Sequence, residues 1–330
     1  MGNLTTASGV PVRPRQRLSR TAVASVATAA VLSWLATPVQ ATSAGGAQVV
    51  TSAHAAHVTA RDGSAAATQC DPYASLQPPP GPPTVTPGSF MATVRARGYL
   101  IAGVDQNSYR LEYLNPRDGQ IEGFDIDMLH AIAAAIFGDP SKIKYVATTN
   151  AQREPFVESG RVDIVAHTMT ITCARLQDVD FSTVYFDAGQ QILVEDGSPI
   201  HGVQDIAQRR VCAAPGSTSL ARLSQYHAIQ VPAQSYTDCL VLLQQGQVDA
   251  ISTDNSILEG LAAQDPYARI VGTTFSDEPY GLAISKQHPD FVRFVNAVLA
   301  QMRADGQWAA SYESWLGSPV PPPPSVRYQG

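Results

Sequence analysis

From Thr168 to Arg175 the chain reads Thr-Met-Thr-Ile-Thr-Cys-Ala-Arg, hydroxyl residues at alternate positions followed by a guanidinium. An arginine presents a planar fork that matches a carboxylate through two parallel charge-assisted hydrogen bonds, and Thr170 and Thr172 can add hydroxyl or backbone donors beside it. The alternative for Arg175 is a surface arginine after a strand. Gly216-Ser217-Thr218 follows a β-branched run and opens a helical stretch, where free backbone N–H groups and the helix dipole favour an anion. Ser217 or Thr218 can equally cap that helix. Asp254 stands between the strand-like Val248 to Ser252 and the helical period of Ile257, Leu258 and Leu261, a position that suits an N-cap. Asp105, Gln106 and Tyr109 lie in the loop after the first predicted strand, Tyr99 to Val104.

These groups need elements to hold them. Short β-branched runs predict further strands over Ile143 to Ala147, Val162 to Ala166, Gln191 to Val194 and Arg210 to Ala213, alternating with helical periods in the manner of an α/β protein. Ile126, Leu129, Ile132, Ala133 and Ile136 share one face of a helix after Gly123, and Phe291 to Met302 forms another of the same kind. Gly160-Arg161-Val162-Asp163 is echoed by Gly246-Gln247-Val248-Asp249, each leading into a strand and a polar loop. The echo suggests two similar open sheets whose loops at the strand carboxyl ends face one another, where ligands of such sheets bind.

The chain of 330 residues carries 22 Lys and Arg against 28 Asp and Glu, which argues against a nucleic-acid partner. No nucleophile elbow, zincin, phosphate-loop or dinucleotide motif occurs, so neither catalysis nor a cofactor has a positive signal. No Cys or His array has metal spacing; His54 and His57 read as a solvated pair. Residues 1–41 hold Arg13, Arg15, Arg17 and Arg20, then an apolar run from Thr21 to Leu35 and a small-residue Val39-Gln40-Ala41, the pattern of an export signal or a retained anchor. Residues 42–89, rich in Ala, Ser, Thr and Pro, read as an extended linker, and 318–330 as a Pro-rich tail. Four cysteines without paired spacing fit an exported, disulfide-bonded protein of the cell envelope or the medium.

The order of Gly123-Phe124-Asp125-Ile126-Asp127, Gly160-x-Val162-Asp163, Thr170-Ile171-Thr172-x-x-Arg175, Val179-Asp180-Phe181-Ser182, Pro215 to Ser219 and Pro279-Tyr280-Gly281 resembles the extracellular solute-binding proteins of polar-amino-acid ABC transporters. The resemblance spans about Arg95 to Gly317 and is strongest to actinobacterial glutamine-, glutamate- and aspartate-binding members. It implies a two-lobed periplasmic-binding-protein type II fold: residues 90–192 and 275–317 in lobe one, 193–274 in lobe two, a monomer closing on a zwitterion. In that scheme Arg175, Thr170 and Thr172 take the α-carboxylate with Ser217 and Thr218 opposite, and Asp254 pairs with the α-ammonium. Tyr109 covers the aliphatic part or packs at the lobe surface, and Asp105 lies at the same edge. Asn150 stands where many relatives carry an aromatic lid. The partner is an ABC permease, or alternatively a membrane receptor to which the protein presents its ligand; a dehydratase-like enzyme is a third, less favoured reading.

Within that scheme Cys212 falls in a lobe-two strand and Cys239 in a facing helix, so these two are expected to pair, leaving Cys70 for Cys173. Asn150-Ala151-Gln152-Arg153-Glu154-Pro155 resembles the turn on which relatives with acidic ligands place an arginine against the side-chain carboxylate. Arg153, Arg175 and Asp254 together carry one net positive charge, which complements glutamate or aspartate better than glutamine.

Overall fold

The computed structural model describes residues 70–329. The expected export signal and the linker as far as residue 69 lie outside the described residues. The helix Phe124–Phe137 shows why the chain folds as it does: Ile126, Leu129, Ile132, Ala133 and Ile136 are fully buried along one face. Each large apolar side chain so buried contributes about 1.5–3 kcal/mol. The helix begins at Gly123, whose φ of +136° and close approach to Leu111 leave no room for a side chain; a Cβ there would lie 2.2 Å from the Leu111 carbonyl oxygen.

Two five-stranded sheets share one pattern. In lobe one the spatial order is Ile143–Ala147, Leu100–Val104, Ile164–Val165, Ala283–Ser285, Val179–Phe181. Lobe two repeats it with Ile229–Pro232, Arg210–Ala213, Ala250–Asp254, Gln190–Glu195, Ala268–Val271. In each sheet the fourth strand runs antiparallel to both neighbours, and it is the strand that has just crossed from the other lobe. Between the lobes Phe186–Ala188 pairs antiparallel with Glu278–Tyr280, a two-stranded hinge. This is the two-lobed type II arrangement. The crossings fall near Gly189 and Asp277 rather than after 192 and 274, because Gln190 and Gln191 already pair with Asp254 and Thr253 in the lobe-two sheet.

The repeated Gly-x-Val-Asp has a definite structural job. Both glycines adopt left-handed backbone, φ +67° at Gly160 and +65° at Gly246. Each aspartate then accepts from the backbone N–H near the start of the second strand in its lobe's sheet, Asp163 from Ile101 at 2.7 Å and Asp249 from Arg210 at 2.7 Å. The strands that follow start at Ile164 and Ala250, later than periodicity predicts, since Asp163 and Asp249 turn their carboxylates to neighbouring strands.

The segment from Cys70 to Gly88 corrects the linker reading. It is a strap on lobe one: Ser75 Oγ donates to the Phe181 carbonyl at 2.7 Å, and the buried Asn296 donates to Ser75 Oγ and the Leu76 carbonyl at 2.8 and 2.7 Å. Composition suggested a free chain because few large apolar residues are present; those few, Tyr73, Leu76 and Val85, pack against the core, and polar partners and a covalent bond hold the rest. The Pro-rich tail is likewise tied down, Arg327–Tyr328 pairing parallel with Ala74–Ser75. Disulfides join Cys70 to Cys173 and Cys212 to Cys239, closing separations of 103 and 27 residues. In the chain-entropy account these contribute about 4.7 and about 3.5 kcal/mol. Among the described residues no helix is long and apolar enough to cross a membrane, and no three metal-ligating side chains cluster.

Candidate functional site

The loop after Ile164–Val165 leaves lobe one's sheet early because Thr168 turns into left-handed backbone at φ +41°. Its N–H is held by the buried Asp125, which accepts from Thr168 N at 2.9 Å and from the Tyr185 hydroxyl at 2.7 Å. That anchor fixes the path of Thr170 and Thr172 toward Arg175. Thr172 Oγ1 accepts from Arg175 N at 3.2 Å, so its hydroxyl starts the helical turn Arg175–Asp178.

Arg175 is buried, and three of its N–H groups are engaged: Nε donates to Glu154 Oε1 at 2.8 Å, Nη1 to the Thr170 carbonyl at 2.7 Å, and Nη2 to the Gly216 carbonyl of lobe two at 3.0 Å. Arg153, 2% exposed, donates through Nε to the Asn150 carbonyl, Nη1 to His167 and Nη2 to the same Gly216 carbonyl at 3.4 Å. Burial, and then the neighbouring Arg175, lower its pKa to about 10. A guanidinium has five N–H donors, so two remain on each.

Gly216 is where the lobes meet. Its φ is +79°, and a Cβ there would stand 2.7 Å from Ala151 Cα of lobe one. Gly216→Ala is therefore expected to hold the lobes apart, with the affinity for a ligand held between them falling tenfold or more while each lobe stays folded. Small-angle scattering at saturating ligand checks this: a radius of gyration equal to wild type would show that the contact tolerates a methyl group.

On the lobe-two side Ser217 caps Thr218–Leu223, accepting from Leu220 N at 3.0 Å and donating to the Ala214 carbonyl at 2.7 Å. Thr218 Oγ1 donates to Glu278 of the hinge at 2.9 Å, and Glu278 also pairs with Arg222 at 2.9 Å. Both hydroxyls thus have protein partners. Asp254 stands at the N-cap position of Asn255–Ala262 but makes no capping bond. Its Oδ2 accepts from the Tyr280 hydroxyl at 2.7 Å, while Oδ1 is buried with no partner. Burial above all, with Glu278 nearby, pushes its pKa up to about 7.

A cavity of about 280 Å3 opens between the lobes, lined on one side by Asp105, Gln106, Asn150 and His167 and on the other by Gln234 and Tyr236. Asp105 accepts from Asn107 and Ser108 in its own loop and turns toward this space. Tyr109 packs edge-on against Tyr113 at 5.1 Å, and its carbonyl lies against Gly260 of lobe two, where a Cβ would approach to 2.6 Å; it does not line the cavity. Arg153, Arg175, Thr170, Gly216 and Ala151 thus meet at one point, with Asp254 near enough to oppose the fall in the pKa of Arg153 and to have its own ionised form favoured by both guanidiniums.

Residue types and spacing did not point to Glu154, His167, Tyr236 or Tyr280. Glu154 sits beside Arg153 in Arg-Glu-Pro, and Tyr280 lies in the Pro-Tyr-Gly run, so each had a local signal. The buried Tyr236, whose hydroxyl faces Ser217, Thr253 and Ser219, had none.

Residues 100–318 match the bacterial extracellular solute-binding proteins, family 3. The ABC transporter glutamine-binding protein GlnH of Bacillus subtilis is 36% identical over 229 residues, covering 68% of this chain and 84% of that protein. The glutamate-binding protein GluB of Corynebacterium efficiens is 31% identical over 244 residues, covering 70% of this chain and 83% of its own. Among solved structures, an ancestral arginine-binding protein bound to glutamine superposes with a TM-score of 0.64 at 33% identity, over 67% of this chain and 99% of that one. With this site between lobes of this topology, the chain belongs to the bacterial extracellular solute-binding proteins of family 3.

Proposed function

We propose that the protein binds a polar amino acid, glutamine before glutamate, between its lobes and delivers it to an ABC permease. The observation that carries the reading is the pairing of unlike charges in one buried place: guanidinium donors left over on Arg175 and Arg153, and an unpartnered carboxylate oxygen on Asp254. A zwitterion satisfies both at once. A buried charge without such a partner is costly, which gives the site its preference for an α-amino acid. The family is one of transport proteins rather than enzymes, and of the relatives named above one is an ABC transporter glutamine-binding protein and another a glutamate-binding protein.

The acidic preference expected from Arg153 loses its charge argument once Glu154 is counted. Glu154 pairs with Arg175 at 2.8 Å, so Arg153, Arg175, Glu154 and Asp254 carry no net charge when all are ionised. A neutral side chain suits that balance. Arg153 spends its engaged donors on backbone carbonyls and, like Arg175 and Asp254, stands behind the cavity lining, whereas Asp105 is part of it. A second carboxylate on the ligand would face Asp105 across that space.

Calorimetry of refolded, ligand-free protein decides the matter. Glutamine is expected to bind at least tenfold tighter than glutamate or aspartate, and arginine not at all. Glutamate binding tighter than glutamine would restore Arg153 as the selector; binding of no amino acid would remove the transport reading.

A further inference from the structure

His167 is 4% exposed and lies on the lobe-one wall of the cavity, one residue before the left-handed turn at Thr168. Its ring makes one hydrogen bond, between Nδ1 and Thr148 Oγ1 at 3.2 Å. Thr148 has a single hydroxyl proton and two acceptors within reach, the Val104 carbonyl at 3.3 Å and the ring's Nδ1. With that proton on the Val104 carbonyl the oxygen accepts from the ring and Nδ1 carries the hydrogen, the tautomer that leaves a lone pair on Nε2. Burial, reinforced by the arginines Arg153 and Arg175 against the opposing pull of Asp105, lowers the imidazole's pKa to about 4. The ring is neutral at pH 7. Its Nε2 has no hydrogen-bond partner among the described residues and is not among the wholly buried unpaired atoms, so it stays reachable from the cavity that His167 lines.

We infer that His167 reads the side-chain amide of the ligand, its Nε2 lone pair accepting from the amide NH2 in the cavity between the lobes. The inference rests on the amino-acid reading above and adds the group that separates amide from acid. An amide offers two N–H donors to a lone pair. A carboxylate offers only lone pairs of its own, so it leaves Nε2 unpaired or forces the ring to take up a proton against its surroundings. Sites that hydrogen-bond a particular ligand group reject analogues lacking it more strongly than apolar pockets do, because the protein's own buried group is then stranded. The Asp105 carboxylate on the same wall acts in the same sense.

Two measurements test this. In His167→Gln the side-chain amide can donate as well as accept, and the ratio of glutamine to glutamate affinity is expected to fall at least tenfold. Independently, 15N spectra of the wild-type histidine ring are expected to show the Nδ1–H form at pH 7, with the Nε2 resonance moving on saturation with glutamine and staying in place with glutamate. A ring protonated on Nε2, or an affinity ratio unchanged in His167→Gln while wild type binds glutamine, overturns the inference and leaves the amino-acid reading intact. Wild type that binds neither glutamine nor glutamate removes both.

Discussion

Replacing Asp254 with alanine is expected to weaken amino-acid binding at least a hundredfold while leaving the two lobes folded. Oδ1 is buried and unpartnered, so the carboxylate is held ready for a cation that the protein itself does not supply. A hydrogen bond to a charged group is worth about 1.5–3 kcal/mol, and stranding a buried charge costs about 3–5 kcal/mol; a hundredfold needs only about 2.7 kcal/mol. The same residue sets a pH dependence. Its pKa is raised from 3.8 to about 7 in the ligand-free protein, so its contribution to folding stability is fully present below about pH 4 and is lost as pH rises through about 7. Binding runs the other way. An ammonium requires the ionised carboxylate, so below about pH 7 each ligand bound expels a proton, and affinity should drop about tenfold for each pH unit descended. Calorimetry in buffers of different ionisation enthalpy counts that proton. Micromolar binding in Asp254→Ala at wild-type stability would leave the carboxylate a structural partner of Tyr280 and nothing more.

Arg175→Ala carries the other large effect, again a loss of at least a hundredfold, and Arg175→Lys is expected to lose tenfold or more because an ammonium cannot present the fork. Three consequences add. The ligand carboxylate loses its charge-assisted donors, the Gly216 carbonyl loses one of its two bonds across the cleft, and Glu154 is left negative beside the incoming carboxylate. The last term can be isolated: Arg175→Ala combined with Glu154→Gln should bind better than Arg175→Ala alone. Equal affinities in the single and double variants would show that Glu154 does not act on the ligand.

What could be read from residue order was what depends on near neighbours. The apolar stripe of Phe124–Phe137 is a property of a single helix, and the Gly-x-Val-Asp echo marked two equivalent places because a glycine and a carboxylate are both needed where a helix turns into a sheet. Arg175 and Asp254 stood out as charges at strand ends. What could not be read was which hydroxyls are already spent. Ser217 and Thr218 have the chemistry of ligand donors, yet the Ala214 carbonyl and Glu278 take their protons, while Thr172 accepts from Arg175 N and keeps its own. Glu154 lies 21 residues from Arg175, and only the folded turn Asn150–Gln152 brings them together. The strap failed for a related reason: its composition is poor in apolar residues, but the groups that bind it, Asn296 and Cys173, lie far along the chain.

The strap also settles how a load on the chain is shared. Its disulfide ends on Cys173, and the hydrogen bonds of Ser75 and Leu76 end on Phe181 and Asn296, all in lobe one; none reaches the hinge strands. A pull at residue 70 is therefore taken up as shear between the strap and lobe one's sheet. Lobe two, whose chain joins lobe one only through the two hinge strands, bears none of that tension, so its opening and closing are expected to run alike whether or not the chain is held taut.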